Sequence, residues 1–323
     1  MDSAARATQL PLTTAHPPAR LLVWADAEQA HALAGLAATE HAVIQAVASP
    51  LARDVHALAD ALACDGVSDV RQGLVRTDID AVLLASTTAL DDDLVALLEH
   101  RRIPVWCTSY PGEGLYRSDL ARFPYMFIDS AGVKAASEAL IDFARPLRML
   151  TLRISGPRAA MPLAMQLLDA THLVHGLLPA LERVHAVATC SLNQGPQCIA
   201  EISGSCAISA ITIDGVAVSV AANESGNAIV RELVISGAGG SLAIDDAGYT
   251  LHDAEGALVD EHRDAAMDAA DVIASAISSP RAMRRSDRQP RTEISALMES
   301  IRLSMLTGDS KRPAAILEIL ARV

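Results

Sequence analysis

Aromatic residues, basic charge and long apolar runs are all scarce in this sequence. Phe, Trp and Tyr make up 3% of the chain, which argues against aromatic platforms that stack nucleic-acid bases. Acids outnumber bases by 39 to 26, a net charge of −13 that repels nucleic acid and anionic lipid. No apolar run reaches the roughly 18 uncharged residues of a membrane span, and the N-terminus has no apolar signal segment. We therefore expect a cytoplasmic protein with neither nucleic-acid nor membrane partners.

Cysteine is also scarce and irregularly spaced. The five residues are Cys64, Cys107, Cys190, Cys198 and Cys206, an odd number without a C-x-x-C pair. This pattern indicates reduced thiols rather than disulfides, and it gives no support to a metal site.

What the chain does contain is apolar residues, 51% of 323, enough for two cores. Residues 1–19 hold three prolines and few large apolar groups, which predicts a disordered tail. From Arg20 to about residue 110, continuous apolar runs alternate with segments in which apolar residues recur at the three- and four-residue spacing of a helix. Continuous apolar strands between helices predict a parallel sheet covered on both faces, a Rossmann-like doubly wound α/β domain over residues 20–115.

The second half, residues 116–323, has a different order of predicted helices and strands. Predicted helices over 130–143 and 163–178 flank a strand at 149–154, and short strands dominate from 184 to 252, among them 199–202. Gly, Asn and Asp turns at hairpin distances predict a mostly antiparallel sheet with one helical face. Two helices near 292–306 and 313–321 complete this α+β domain, and the arginine-rich stretch 280–291 before them is typical of an exposed linker.

Three stretches carry a family resemblance. These are the strand and turn IDAVLLAST, the strand and loop IPVWCTSYP, and the helix LLDATHLVHGLL, followed by the run LVISGAGGSLAIDDAGYTLHDAEG. In this order the chain resembles the glucose-fructose oxidoreductase / inositol dehydrogenase / rhizopine-catabolism (Gfo/Idh/MocA) family over about residues 20–310. The resemblance implies a nicotinamide-dinucleotide fold with a C-terminal oxidoreductase domain. The stretch between Pro111 and Met149 is short for the family, so a trimmed crossover is expected.

The resemblance places the dinucleotide positions on unusual residues. Ala25, Ala27 and Ala30 stand where the family has G-x-G-x-x-G, and their methyl groups fill space that backbone and pyrophosphate would share. Asp26 and Glu28 add negative charge beside the phosphates, and Asp26 is suited to cap the helix. Ser49 stands where the family has a ribose-binding acid; with Arg53 it suits a 2′-phosphate, or it caps the next helix.

The resemblance also places the catalytic positions. The family lysine is missing: Tyr110 stands there if Pro111 is the family proline, and otherwise Ser109 does. His172 matches the family's catalytic histidine, but its usual acid partner is replaced by Leu168, and Asp169 lies about 100° round the helix.

His175 replaces the aspartate that follows the catalytic histidine in the family. A metal site built from Asp169, His172 and His175 would span two helical turns without a fourth ligand, so no metal is expected.

Two functions are compatible with these residues. The first is a protein with the family fold that has lost NAD(P) turnover, needs no cofactor, and acts as a partner or regulatory subunit or as a small-ligand binder. It would form homo- or hetero-oligomers through the C-terminal sheet, with an active relative as one possible partner. The alternative is an NAD- or NADP-dependent oxidoreductase or imine reductase in which Tyr110 and His172 transfer the proton.

Overall fold

Two sheets, each covered by helices, organise the chain. The structure, a computed structural model, describes residues 17–76, 78–143, 145–189, 196–265, 267–278 and 286–322. The helices are α1 Ala30–Ala37, α2 Ala52–Leu62, α3 Val70–Leu74, α4 Asp92–Arg101, α5 Glu113–Arg117, α6 Ala131–Phe143, α7 Leu163–Leu177, α8 Ala269–Ser278, α9 Arg291–Thr307 and α10 Pro313–Leu320.

The first sheet is parallel throughout and has the strand order β3-β2-β1-β4-β5-β6. Its strands are β1 Ala19–Trp24, β2 Ala42–Ala48, β3 Asp65–Gly66, β4 Ala81–Leu84, β5 Val105–Cys107 and β6 Ala121–Arg122. Strands β4 and β5 and the centre of β1, residues 21–23, are buried, which explains why their sequences are continuous apolar runs. This order reverses direction between β1 and β4, the position where doubly wound folds bind ligands.

The second sheet has eight strands in the order β14-β13-β12-β11-β7-β10-β9-β8 and is antiparallel except between β7 and β10. The strands are β7 Leu147–Pro157, β8 Leu181–Thr189, β9 Ser205–Thr212, β10 Ala217–Asn223, β11 Ser225–Gly237, β12 Gly240–Ile244, β13 Gly248–Asp253 and β14 Leu258–Arg263. Buried and exposed residues alternate along β7, β10 and β11. One face of the sheet therefore packs on helices and the other is open.

The predicted fold class is confirmed, with local corrections. The predicted strand at 199–202 is wrong: Ile199–Glu201 forms a single 3-10 turn. The crossover after Pro111 is complete rather than trimmed, since α5, β6 and α6 all fit within it. It is short because α5 has five residues and β6 has two.

Some residues belong spatially to the other half of the chain. Helix α8 lies late in the sequence but packs on α1 and β2 of the first sheet, with Ala274 and Ile277 buried in that sheet's core. Arg291, predicted to lie in an exposed linker, begins α9 and donates hydrogen bonds from its guanidinium to the carbonyl oxygens of Tyr116, Ser118 and Ala121. The domains are thus joined by more than their connecting segment.

Several predictions fall wholly or partly outside the described residues. The predicted tail over 1–19 has residues 1–16 outside, while Ala19 already belongs to β1. Residues 280–285 of the arginine-rich stretch and Cys190 also lie outside. Cys64, Cys107, Cys198 and Cys206 are free thiols. Within the described ranges, no helix combines the length and apolar character that crossing a bilayer requires.

Candidate functional site

The turn after β1 departs from a phosphate-binding loop. A 3-10 turn, Ala27–Gln29, comes between the strand and α1. The backbone N–H of Asp26 donates to Gln29 Oε1 at 2.6 Å, so one donor of the turn is satisfied by the chain itself. Ala25 is fully buried, and a methyl group there packs in the core. The turn is held closed by its own side chains.

The Asp26 carboxylate lies between the ends of β1 and β4. Its Oδ2 accepts hydrogen bonds from Ser86 Oγ at 2.9 Å and from the backbone N–H of Thr87 at 3.1 Å. Asp26 stands at the N-cap position of the 3-10 turn, where its side chain makes no cap hydrogen bond; its carboxylate instead joins the β1 and β4 loops. A negative charge of the chain therefore occupies the switch point of the sheet.

Ser49 and Arg53 are not arranged as a phosphate site. Ser49 is buried, and its Oγ accepts a hydrogen bond from the backbone N–H of Leu51 at 3.3 Å. The Arg53 side chain is 83% exposed and lies 3.6 Å from Asp54. Ser49 thus satisfies the backbone ahead of α2, and the Arg53 side chain extends into solvent.

Both candidates for the missing lysine have structural partners. Ser109 is buried and donates its hydroxyl proton to the carbonyl oxygen of Ser86. Tyr110 is 5% exposed, and its hydroxyl donates to Glu113 Oε2 at 3.1 Å. Burial, together with the charge of Glu113, raises the pKa of Tyr110. Tyr110 therefore stays protonated at neutral pH and is unsuited to act as a base.

His172 is enclosed rather than presented to a cleft. Its Nε2 lies 3.1 Å from the Tyr116 hydroxyl and its Nδ1 lies 2.5 Å from Gln289 Oε1. Because an amide oxygen can only accept, Nδ1 carries the proton and Nε2 accepts from Tyr116. Burial lowers the pKa of His172 to about 3. The ring is neutral across the physiological range, and both of its nitrogens are satisfied.

Asp169 belongs to a different cluster. Its carboxylate accepts from the backbone N–H of Phe127 at 2.7 Å and from Arg231 Nη1 at 3.0 Å. Arg231 is fully buried on β11 and also forms a two-bond ion pair with Asp246. Burial raises the pKa of Asp169, and the charge of Arg231 opposes that shift. The Asp169-Arg231-Asp246 cluster ties α7 to the second sheet, so it has a structural explanation.

The structure brings Tyr110 and His172 together only through a third residue. Tyr116 stacks on Tyr110 at 6.4 Å between ring centroids and meets the His172 ring edge-on at 6.1 Å. Phe123 packs against both Tyr116 and His172. We call Tyr110, Tyr116, Phe123 and His172 the aromatic cluster. It fills the space beside the family's catalytic histidine.

Sequence reasoning missed the residues that hold these groups. Tyr116, Gln289 and Arg231 have no motif around them, and their partners lie 56, 117 and 62 residues away along the chain. The one available signal was a lone arginine in the apolar strand β11, which a buried ion pair explains. His175, considered with Asp169 and His172 as a metal ligand, pairs with Glu293 at 2.8 Å. The described residues contain no group of His, Cys, Asp or Glu suited to hold a metal ion.

Three cavities surround this region. One of about 270 Å³ lies at the carboxyl ends of β4 and β5, against α1, α8 and the loop before α7. A second, about 570 Å³, is lined by Tyr110, Glu113 and α9. A third, about 450 Å³, lies on the far side of Tyr125 beside Arg231. Tyr110 and the β4 and β5 ends therefore face different cavities.

Solved structures share this architecture, among them two named as dehydrogenases and one in complex with NAD. Levoglucosan dehydrogenase in complex with NADH and L-sorbose superimposes with a TM-score of 0.66 at 10% identity, over 92% of this chain and 99% of that one. A putative myo-inositol dehydrogenase from Sinorhizobium meliloti gives 0.59 at 16%, over 91% and 99%. GenD2 from gentamicin A biosynthesis, in complex with NAD, gives 0.63 at 14%, over 94% and 99%.

The chain has the fold of these structures. The predicted resemblance is thereby confirmed at the level of the fold. No protein-family model matches the sequence, and no curated protein does.

Proposed function

We propose that this chain keeps the Gfo/Idh/MocA fold without turning over a nicotinamide dinucleotide, and acts as a small-ligand binder or as a partner or regulatory subunit. The observation that carries the proposal is the Asp26 carboxylate at the switch point, hydrogen-bonded to Ser86 and Thr87. A pyrophosphate there would be repelled by a fixed negative charge. The two hydrogen-bond donors of the β4 loop are already bonded to the Asp26 carboxylate.

The electrostatic cost is large enough to decide binding. Two unit charges about 4 Å apart repel by about 4 kcal/mol at an effective dielectric of 20. That energy corresponds to roughly a thousandfold weaker affinity. The methyl groups of Ala25, Ala27 and Ala30 add crowding where family members have glycine. The residues of this turn therefore do not fit a dinucleotide.

The proton-transfer residues give independent support. The alternative function, an NAD(P)-dependent oxidoreductase or imine reductase, needs Tyr110 and His172 to exchange a proton with a substrate. Both are buried, and each is hydrogen-bonded within the protein. With the pKa of His172 lowered to about 3 and that of Tyr110 raised, neither group titrates near neutral pH, where general acids and bases are effective.

The test is a calorimetric titration of the purified chain with NADH and with NADPH. The wild type is expected to show no saturable binding up to millimolar cofactor. A variant combining Asp26→Asn with Ala25→Gly, Ala27→Gly and Ala30→Gly should gain measurable affinity, whereas Asp60→Asn, which removes an exposed acid on α2, should not. A micromolar dissociation constant for the wild type with either cofactor would refute the proposal and favour the oxidoreductase.

The open face of the second sheet supports the partner role. Its exposed side chains include the ion pair between Arg153 and Glu232. They also include small or apolar residues from adjacent strands: Met149, Thr151, Ala207, Ser209, Ala221 and Val234. A flat face of this kind suits packing against another sheet about 10 Å away. The proposed occupant is a second copy of this chain or an active relative with the same fold.

A further inference from the structure

We infer that the 270 Å³ cavity at the carboxyl ends of β4 and β5 binds an uncharged apolar molecule with about the volume of two fused or linked aromatic rings. The inference rests on the proposed function, because it assigns a ligand class to a chain that does not hold a dinucleotide beside this cavity. The evidence is the cavity's size, the hydrogen bonds of its walls and its charge.

The walls of the cavity are predominantly apolar. They are formed by side chains from both sheets and from α1, α7 and α8, including Leu33, Leu36, Leu83, Met161, Met165 and Ile273. An apolar cavity of about 150 Å³ stays dry and accepts benzene. At about 270 Å³ this cavity has nearly twice that volume, so a ligand with two aromatic rings is the matching size.

Several polar groups on the walls are hydrogen-bonded within the protein, while His31 and Tyr125, which carry an imidazole and a hydroxyl, also line the cavity. The Gln29 amide accepts from the backbone N–H of Asp26 and donates to Glu28. Thr108 Oγ1 donates to the carbonyl oxygen of Leu84 at 3.3 Å, and the Cys107 thiol lies 3.6 Å from the carbonyl oxygen of Val105. A ligand that offers many hydrogen-bonding groups would exchange bonds to water for contacts with apolar walls. An apolar ligand loses no such bonds.

Charge excludes anions from the same space. Of the residues that the structure describes around this cavity, none is a lysine or arginine, and the one imidazole is that of His31. The acid among them, Asp268, accepts from the backbone N–H of Ala270 at the start of α8. The backbone N–H of Asp26 donates to the lining residue Gln29, and the Asp26 carboxylate is hydrogen-bonded to the β4 loop at Ser86 and Thr87. An anionic ligand would therefore be repelled without a compensating cation.

Two probes with the same aromatic framework test both properties. N-phenyl-1-naphthylamine is uncharged, and 8-anilinonaphthalene-1-sulfonate adds one negative charge to that framework. Fluorescence titration of the full chain should give a single saturable site for the uncharged probe and at least tenfold weaker binding of the sulfonate. Equal affinities, or no saturation with the uncharged probe, would overturn the inference without need of any variant.

A matched pair of substitutions on α1 locates the site. Ala32 and Ala34 are both exposed, but only Ala32 lines the cavity, and the two lie about 200° apart round the helix. Ala32→Phe should weaken binding of the uncharged probe at least tenfold, whereas Ala34→Phe should change it less than twofold. Equal effects of the two substitutions would place the probe elsewhere and overturn the inference.

A parallel NADH titration separates the two proposals. Saturable NADH binding refutes the proposed function, and with it the ligand class inferred here. If neither the uncharged probe nor NADH shows saturable binding, only the inference of an apolar ligand in this cavity is refuted. Binding of the probe alone supports both.

Discussion

The pH dependence of the free energy of unfolding tests whether His172 is buried as a neutral imidazole. Its pKa is about 3 in the folded chain, against about 6.5 for an unfolded histidine. Between these values the unfolded state binds more protons, so stability falls as pH falls. One proton changes the free energy of unfolding by about 1.4 kcal/mol per pH unit. From pH 7 to pH 4.5 the wild type should lose about 2.5 kcal/mol from this group.

The substitution His172→Gln removes the titration while keeping a hydrogen-bonding side chain. We expect urea unfolding of this variant to lose about 2.5 kcal/mol less than the wild type between pH 7 and pH 4.5. Carboxylates with lowered pKa values, such as Asp80 and Asp245, weaken both proteins equally in acid and cancel in the difference. His56→Gln, at a 91% exposed side chain, should match the wild type. If the wild type and His172→Gln lose the same free energy of unfolding between pH 7 and pH 4.5, the assignment of a buried neutral histidine is refuted.

Two further predictions concern the second sheet. Arg231→Met should cost about 3–5 kcal/mol in urea unfolding because it leaves a buried carboxylate unpaired. Arg71→Met, which removes an exposed ion pair with Asp91, should cost less than about 1 kcal/mol. Similar costs would contradict a structural role for Arg231. If the open face is an interface, light scattering should find the wild type as an oligomer and Ala221→Glu as a monomer, with Ala257→Glu in an exposed turn unchanged. A monomeric wild type with no co-purifying chain would contradict the partner role.

The fold could be predicted from sequence because its signals are local. The apolar run Ala42–Ala48 forms β2, and the helix predicted over 163–178 ends within one residue of α7. Five-residue helices and two-residue strands leave no periodicity to read, so α5 and β6 were missed. The segment at Ile199 has strand-like composition, yet it folds as a 3-10 turn.

The site was harder to predict because its contacts are long-range. The family motif located His172 correctly within α7 but gave no indication that Tyr116 and Gln289 would satisfy both ring nitrogens. Asp169 next to His172 suggested a displaced catalytic acid. The deciding fact was Arg231 on β11, 62 residues away, which no spacing rule connects to α7. Pairing between distant residues depends on the packed sheet, and a single sequence does not display it.

Asp26, the aromatic cluster and the cavity walls all make the cleft less favourable for a negatively charged ligand. Asp26 places a negative charge at the switch point of the first sheet, and the aromatic cluster surrounds His172 with ring contacts. The adjoining cavity has no described lysine or arginine in its walls. A low-dielectric cleft with a negative charge at its switch point disfavours anions most strongly and uncharged apolar molecules least. If Asp26 opposes a diphosphate, as proposed, introducing the glycines alone, with Asp26 retained, should not produce cofactor binding.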